Sequence, residues 1–151
     1  MRKYIVVLAT TALASTALLA VGVPSAEAAS KLQITKVKYD SDGSDAPVTN
    51  KKLNDEWVRI TNTDDRTRTL THWTLRDASN HVYTFPTFTL DAGERVWVHT
   101  GSGTDTAHHL YQNRGYYVWN NTSDTAKLRN TSGTGGDTCS WTTSDDSPYY
   151  C

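Results

Sequence analysis

Glu56-Trp57-Val58-Arg59-Ile60-Thr61-Asn62 is the stretch of sequence that decides the fold. In it, the apolar residues Val58 and Ile60 alternate with outward neighbours, and this period-two pattern is typical of a half-buried β-strand. Comparable short runs occur at residues 32–39, 70–75, 81–85, 88–90, 95–100, 117–120, 125–130 and 138–141. Clusters of Asn, Asp and Gly separate many of the runs. Short strands punctuated by turn residues predict an all-β sandwich.

The connecting segments are predicted to be loops. Residues 40–54 are expected to form a polar loop, and residues 101–115 a long polar loop. Beyond residue 28 no window repeats apolar residues with the 3.6-residue period of a helix, so no helix is predicted there. The inward alternate positions of the strands should be buried, and they are occupied by Val58, Ile60, Leu75, Val96, Val98 and Leu128.

Residues 1–28 are predicted to form a helical secretory signal peptide. Arg2 and Lys3 supply its positive start, a long apolar run follows, and Ala26-Glu27-Ala28 is a cleavage site of the A-x-A type. An uncleaved membrane anchor is the alternative, since the apolar run is nearly long enough to span a bilayer. The cleavage site favours removal. That would leave residues 29–151 as one secreted domain, with no stable membrane insertion.

The charge balance limits the classes of partner. The full chain has 15 Lys and Arg residues and 16 Asp and Glu residues. Cleavage would remove Arg2, Lys3 and Glu27, which leaves 13 basic and 15 acidic residues and a net charge of −2. In the mature chain only Lys51 and Lys52 are adjacent basic residues. Nucleic acid and membrane surfaces are therefore disfavoured as partners, because both are bound by many clustered cations.

Two cysteines, Cys139 and Cys151, lie near the end of the chain. In an oxidising compartment an even pair is most simply a disulfide, and it would tie residues 141–150 back onto the last strand. Closing a loop of that size contributes about 3 kcal/mol. Zinc binding is the weaker alternative, because the chain has no C-x-x-C motif and no second ligand pair at zinc spacing.

The order of these blocks resembles the lamin tail domain family. The segments that carry the resemblance are Glu56 to Asn62, Phe85-Pro86 followed by Phe88-Thr89-Leu90-Asp91-Ala92-Gly93, and Trp119-Asn120-Asn121 before Ala126-Lys127-Leu128-Arg129-Asn130. The resemblance extends over about residues 32–141. It implies an immunoglobulin-like β-sandwich that acts as a binding or structural module, with no catalytic residues to carry over.

The arrangement of the chain differs from that of nuclear lamins. In lamins the domain follows a long coiled coil, and this chain has no heptad segment, so a nuclear scaffold role does not transfer. A signal peptide followed directly by one such domain is similar to small secreted proteins of Gram-positive bacteria, actinobacteria especially.

Two groups of residues invite a test for metal binding. Asp40, Asp42 and Asp45 place carboxylates around a glycine, as calcium loops do, but the loop lacks the glutamate that an EF-hand has at its twelfth position. A solvated turn is the favoured interpretation. His108 and His109 are adjacent and should point in different directions, so a shared histidine site is disfavoured. No metal or cofactor is therefore predicted.

Recognition is predicted to involve the 101–115 loop and the segment after it. The candidate binding residues are Tyr111, Arg114, Tyr116 and Tyr117, because loops on a rigid scaffold commonly bind partners and Tyr and Arg contribute strongly to interfaces. A connector whose tyrosines cover the end of the sandwich is the alternative. We expect a secreted, non-enzymatic binding or structural module. Its partner would be an extracellular protein, a cell-envelope polymer or another copy of the chain.

Two other classes of function stay open. A small extracellular hydrolase would bring His99, His108 or His109 within hydrogen-bond reach of a carboxylate in a concave pocket. No known catalytic motif occurs in the sequence, however. Nucleic-acid binding, by analogy with lamin tails, is the second class, and the net charge argues against it.

Overall fold

Eleven strands and one short helix form residues 31–151, the part of the chain that the computed structural model describes. In chain order they are β1 (Leu32–Lys38), α1 (Asn50–Asp55), β2 (Trp57–Asn62), β3 (Arg68–Thr69), β4 (Thr74–Arg76), β5 (Val82–Thr84), β6 (Thr89–Leu90), β7 (Arg95–His99), β8 (His109–Tyr111), β9 (Ser123–Arg129), β10 (Gly136–Thr142) and β11 (Tyr149–Tyr150). The predicted signal peptide lies outside the described residues. Within them, no helix is long and apolar enough to cross a membrane.

The strands form two main sheets that share one hydrophobic core. The five-stranded sheet has the order β11-β1-β2-β7-β8, and the four-stranded sheet has the order β10-β9-β4-β5. Strands β3 and β6 pair separately. Strand β8 runs parallel to β7, whereas the other paired strands are antiparallel. The architecture is the expected immunoglobulin-like β-sandwich.

The core confirms the predicted strand registers. Each of the six positions expected to be buried is at most 1% exposed, namely Val58, Ile60, Leu75, Val96, Val98 and Leu128. Across the core, the ring of Tyr39 stacks on that of Trp141 with centroids 5.0 Å apart. Full burial of a side chain such as Ile60 contributes about 1.5–3 kcal/mol, so these alternate positions hold the short strands in place.

A disulfide joins Cys139 to Cys151, as predicted, with the Cα atoms 5.7 Å apart. Cys139 lies in β10 of the four-stranded sheet, whereas Cys151 directly follows β11 of the five-stranded sheet. The bridge therefore connects the two sheets, a role that the spacing of the two cysteines does not indicate. Strand β11 itself pairs with β1, through Tyr150 opposite Lys36.

Two segments predicted to be loops contain regular structure. Most of helix α1 lies in the segment predicted to be a loop at residues 40–54, and Thr49 caps the helix by accepting a hydrogen bond from the Lys52 amide at 3.3 Å. Leu53 holds the helix to the domain, since its side chain is buried. The prediction that no helix follows residue 28 was therefore wrong. The prediction of a long loop at residues 101–115 was also wrong in part, because this segment contains β8.

The strand predicted at residues 117–120 does not form. A side chain fixes this segment instead, because the Glu56 carboxylate accepts hydrogen bonds from the amides of Val118 at 3.2 Å and Trp119 at 2.6 Å. Buried amides need a partner, and here a carboxylate replaces a neighbouring strand. Trp119 is thereby held in the core, where its ring meets Trp141 edge to face at 5.9 Å.

Candidate functional site

The solvent side of the five-stranded sheet is rich in aromatic and basic side chains. The Val and Ile residues of β2 and β7 point into the core, so the residues between them point outward. The register of β11, β1 and β8 adds further side chains to the same side. We call this set the outer face: Lys36, Lys38, Trp57, Arg59, Arg95, Trp97, His99, His109, Tyr111 and Tyr150.

Four rings on β7 and β8 stack in one row, which we call the aromatic ladder. Trp97 stacks on His109 with centroids 5.5 Å apart, His109 on His99 at 5.2 Å, and His99 on Tyr111 at 5.1 Å. The ring planes are within 24° of parallel. The parallel register places Trp97 opposite His109 and His99 opposite Tyr111, so the ladder follows directly from strand pairing. It holds the edge strand β8 to β7.

Hydrogen bonds hold the two histidines of the ladder in defined tautomers. Nδ1 of His99 lies 2.6 Å from the Asn54 carbonyl oxygen, and its Nε2 lies 2.9 Å from Nδ1 of His109. A carbonyl oxygen only accepts, so His99 carries its proton on Nδ1 and accepts from His109 through Nε2. Burial lowers the pKa of His99, and His109 lowers it further, although the Asn54 carbonyl acts in the opposite direction. Burial therefore favours a neutral His99 in the ladder.

The loop before β8 covers the Tyr111 end of the ladder. A Cβ atom on Gly103 would lie 2.4 Å from Cζ of the Tyr111 ring, so glycine permits an approach that other residues would block. Tyr111 thus lies between the His99 ring and the Gly103 backbone, and it is half-buried. Its contacts are those of a residue that packs the edge strand.

Two tryptophans occupy diagonal positions on the outer face. Trp57 of β2 lies opposite His99, and Trp97 of β7 lies opposite Arg59, so the two indoles are diagonal neighbours. Both side chains are partly exposed. Within residues 31–151, neither indole N–H donates a hydrogen bond. Amphipathic rings with a free donor are common at binding surfaces.

Positive charge collects beside these tryptophans. The Lys36 ammonium lies 2.8 Å from the Tyr150 hydroxyl and 4.1 Å from the centroid of that ring. Nε of Arg59 donates to the Thr35 hydroxyl at 3.0 Å. Burial lowers the pKa of Arg59, and the nearby Arg95 cation lowers it further. The hydrogen bond from Lys36 lowers the pKa of Tyr150.

The four binding residues predicted from the sequence lie in three places. Tyr111 belongs to the aromatic ladder. Arg114 donates to the Tyr116 hydroxyl at 2.9 Å and to a β5 carbonyl at 2.8 Å, at the edge of the other sheet. The Tyr117 hydroxyl donates to the Asp45 carbonyl at 3.4 Å, so Tyr117 lies in a third place, against the segment that precedes helix α1. The structure brings together only Arg114 and Tyr116, and a binding role for the four stays a prediction.

The candidate calcium loop is partly assembled. The amide of Asn121 donates to Asp40 at 3.0 Å and to Asp45 at 3.2 Å, so these two carboxylates lie close together. Burial raises the pKa of Asp40, and the Asp45 charge adds to the increase. Asp42 instead pairs with Lys38 at 3.0 Å. In the described part of the chain, no group of three or more His, Cys, Asp or Glu side chains is placed to hold a metal ion.

A histidine–carboxylate pair occurs away from the histidines considered for catalysis. Nδ1 of His81 lies 2.6 Å from Oδ2 of Asp77, and Oδ1 of the same carboxylate accepts a hydrogen bond from the His81 amide at 2.6 Å. The pair closes the turn between β4 and β5. Among residues 31–151, His99, His108 and His109 make no hydrogen bond to a carboxylate. The arrangement expected of a hydrolase does not form around them.

The fold and the outer face together define an immunoglobulin-like β-sandwich with an aromatic and basic sheet surface as its candidate site. A family model described as Lamin Tail Domain matches residues 25–143, and the chain belongs to the lamin tail domain family. This is a family of non-enzymatic immunoglobulin-like domains. No curated protein matches the chain.

Proposed function

We propose that this protein is a secreted, non-enzymatic binding module that holds a cell-envelope polymer against its outer face. The observation that carries the proposal is the diagonal pair of partly exposed tryptophans, Trp57 and Trp97, beside the aromatic ladder. Stacking on His109 fixes the Trp97 ring, so little side-chain entropy is lost when a ligand packs there. A sheet surface suits an extended chain, whereas small molecules are usually enclosed in clefts.

Two further observations support this proposal. Members of the lamin tail domain family are binding or structural modules, which fits a surface site better than a reaction centre. The bridge between Cys139 and Cys151 fits an oxidising, extracellular setting. Secretion itself can be tested by expressing the full chain in a secreting host and measuring the mass of the protein in the medium. Cleavage after Ala28 should give a chain that starts at Ala29.

Binding is tested by co-sedimentation with insoluble cell-wall polysaccharide. We expect the secreted wild-type protein to sediment, and the double variant Trp57→Ala/Trp97→Ala to stay in solution. Tyr116→Ala is the matched control, because Tyr116 is an exposed aromatic residue that lies beside the β5 edge of the four-stranded sheet. Undiminished sedimentation of the tryptophan variant would refute the outer face as the site. Loss in Tyr116→Ala alone would assign binding to the Arg114–Tyr116 region.

A further inference from the structure

Three cations of the outer face lie together although they are far apart in the sequence. Lys36 of β1 pairs directly with Arg59 of β2, and Arg95 of β7 pairs with Thr61, two positions further along β2. Neighbouring strands lie about 4.8 Å apart, so the register alone concentrates the three charges. This cluster cannot be seen in the composition, because the chain as a whole has a formal net charge of −1.

Two of the three cations, Lys36 and Arg59, are held in place by neutral groups. Lys36 stacks on the Tyr150 ring and Arg59 donates to the Thr35 hydroxyl. Within residues 31–151, the carboxylate ion pairs of Lys and Arg involve Lys38, Arg66 and Arg68 instead. The guanidinium groups of Arg59 and Arg95 repel each other, and neither forms an ion pair with a carboxylate within residues 31–151. An anionic ligand would relieve that repulsion.

The tryptophans and arginines alternate across the face. Arg59 lies opposite Trp97 and beside Trp57, so a charged group and two indoles are presented to one ligand. An arginine fork matches a carboxylate or phosphate group, and the free edges of the indoles supply apolar surface and N–H donors. A saccharide chain with acidic substituents offers both kinds of group.

We propose that the outer face binds an acidic glycan, a saccharide chain that carries carboxylate or phosphate groups. Arg59 and Arg95 hold the acidic group, and Trp57 and Trp97 pack against the sugar rings. This inference rests on the proposed function and adds the ligand class. Single-stranded nucleic acid fits less well, because three cations displace few counterions and the four rings of the ladder are already stacked on one another.

The test compares acidic polymers with matched neutral ones in affinity electrophoresis of the secreted protein. Polygalacturonate and its methyl ester share one saccharide chain and differ in whether the carboxyl groups are ionised or esterified, and phosphomannan and mannan test phosphate in the same way. We expect the acidic polymers to retard the protein at a concentration at least about tenfold below that of the neutral ones, since hydrogen bonds between ionised groups are stronger than those between neutral groups. Arg59→Gln/Arg95→Gln should abolish this difference. Lys51→Gln/Arg66→Gln, which makes the same charge change at exposed positions outside the sheet, should preserve it.

Each outcome decides between the two proposals. If acidic and neutral polymers bind equally and Trp57→Ala/Trp97→Ala abolishes both, the proposed function stands and the acidic ligand class is refuted. If no polymer is bound, or binding survives in the tryptophan variant, both fall. If Lys51→Gln/Arg66→Gln weakened the binding of acidic polymers as much as Arg59→Gln/Arg95→Gln, net charge alone would explain the effect and the inference would be overturned. Oligothymidylate bound more tightly than either acidic polymer would also overturn it. Unchanged melting temperatures show that the variants are folded.

Discussion

The Glu56 carboxylate accepts a 2.6 Å hydrogen bond from the backbone amide of Trp119, 63 positions further along the chain. Glu56 is fully buried, and burial raises its pKa to about 7, although the bonds from the Trp119 and Val118 amides act in the opposite direction. The carboxyl group therefore holds its proton more tightly in the folded protein than in the unfolded chain.

This pKa predicts that stability falls as the pH rises. The stabilising contribution of protonated Glu56 is present below about pH 4.5 and is lost as the pH rises through about 7. We expect the free energy of unfolding to decrease by up to about 3 kcal/mol over this range, by the equivalence of one pKa unit to about 1.4 kcal/mol. Urea unfolding between about pH 5 and about pH 8 measures it.

Glu56→Gln should remove this pH dependence. It should also destabilise the protein by about 1–3 kcal/mol at acidic pH, because its amide group presents a donor to one of the two buried N–H groups. Glu94→Gln is the matched control, since Glu94 is exposed. A pH profile that Glu56→Gln leaves unchanged would contradict the assignment.

The histidines of the aromatic ladder predict the opposite pH response at the edge of the sheet. The lowered pKa of His99 means that neutral His99 stabilises the fold above its ordinary pKa, and that this stability is lost as the pH falls through the lowered value. We expect β8 to loosen in acid. Hydrogen exchange of the Gln112 amide, which donates to the His99 carbonyl at 2.8 Å, should quicken relative to that of Asn62, which donates to the Glu94 carbonyl. Equal changes at both amides would indicate global rather than local opening.

The bridge between the sheets predicts a loss of stability when it is removed. We expect Cys139→Ala/Cys151→Ser to lower the free energy of unfolding by about 3 kcal/mol, from the entropy of the loop that the bridge closes. Denaturant unfolding of the variant against the wild-type protein measures this, and reductant should have no effect on the variant. Two reactive thiols in denatured wild-type protein without reductant would show that the bridge is absent.

We expect that alanine is not tolerated at Gly136. Its φ angle is +112°, and a Cβ atom would lie 2.1 Å from the Leu128 carbonyl oxygen. Gly136→Ala should therefore destabilise the protein by about 2–4 kcal/mol, since it combines backbone strain with a clash in β9. Gly133→Ala is the matched comparison, because Gly133 has a φ of +73° but open space around it. If both variants lowered the melting temperature by the same amount, the clash with the Leu128 carbonyl oxygen would not explain the effect of Gly136→Ala.

The parts of the fold that local patterns control were predictable. Val96 and Val98 are buried as the alternation in β7 predicts, because a period of two places both on one side of a strand. The bridge between Cys139 and Cys151 was also predictable, because a secreted chain meets an oxidising compartment and the number of cysteines is even. Helix α1 had a signal that was overlooked, since Thr49 is a suitable N-cap residue.

Distant pairing accounts for what the sequence did not reveal. Strand β8 contains one apolar residue, Leu110, within a polar segment, and only its pairing with β7 makes it a strand. Residues 117–120 look like a strand, but a distant carboxylate satisfies two of their amides. The outer face depends on register in the same way, because Arg59 and Arg95 become neighbours only when β2 and β7 pair.

The pairing of β11 with β1 affects how the domain is completed during synthesis. Val37 pairs with Tyr149, so one edge of β1 stays unpaired until residues more than a hundred positions later have been synthesised. An unpaired strand edge is a template for intermolecular pairing, and long-range pairing is slow to form. Until residues 149 and 150 are added, this edge of β1 is open to association with another chain. Premature termination before them would therefore favour aggregation even though the core strands are already present.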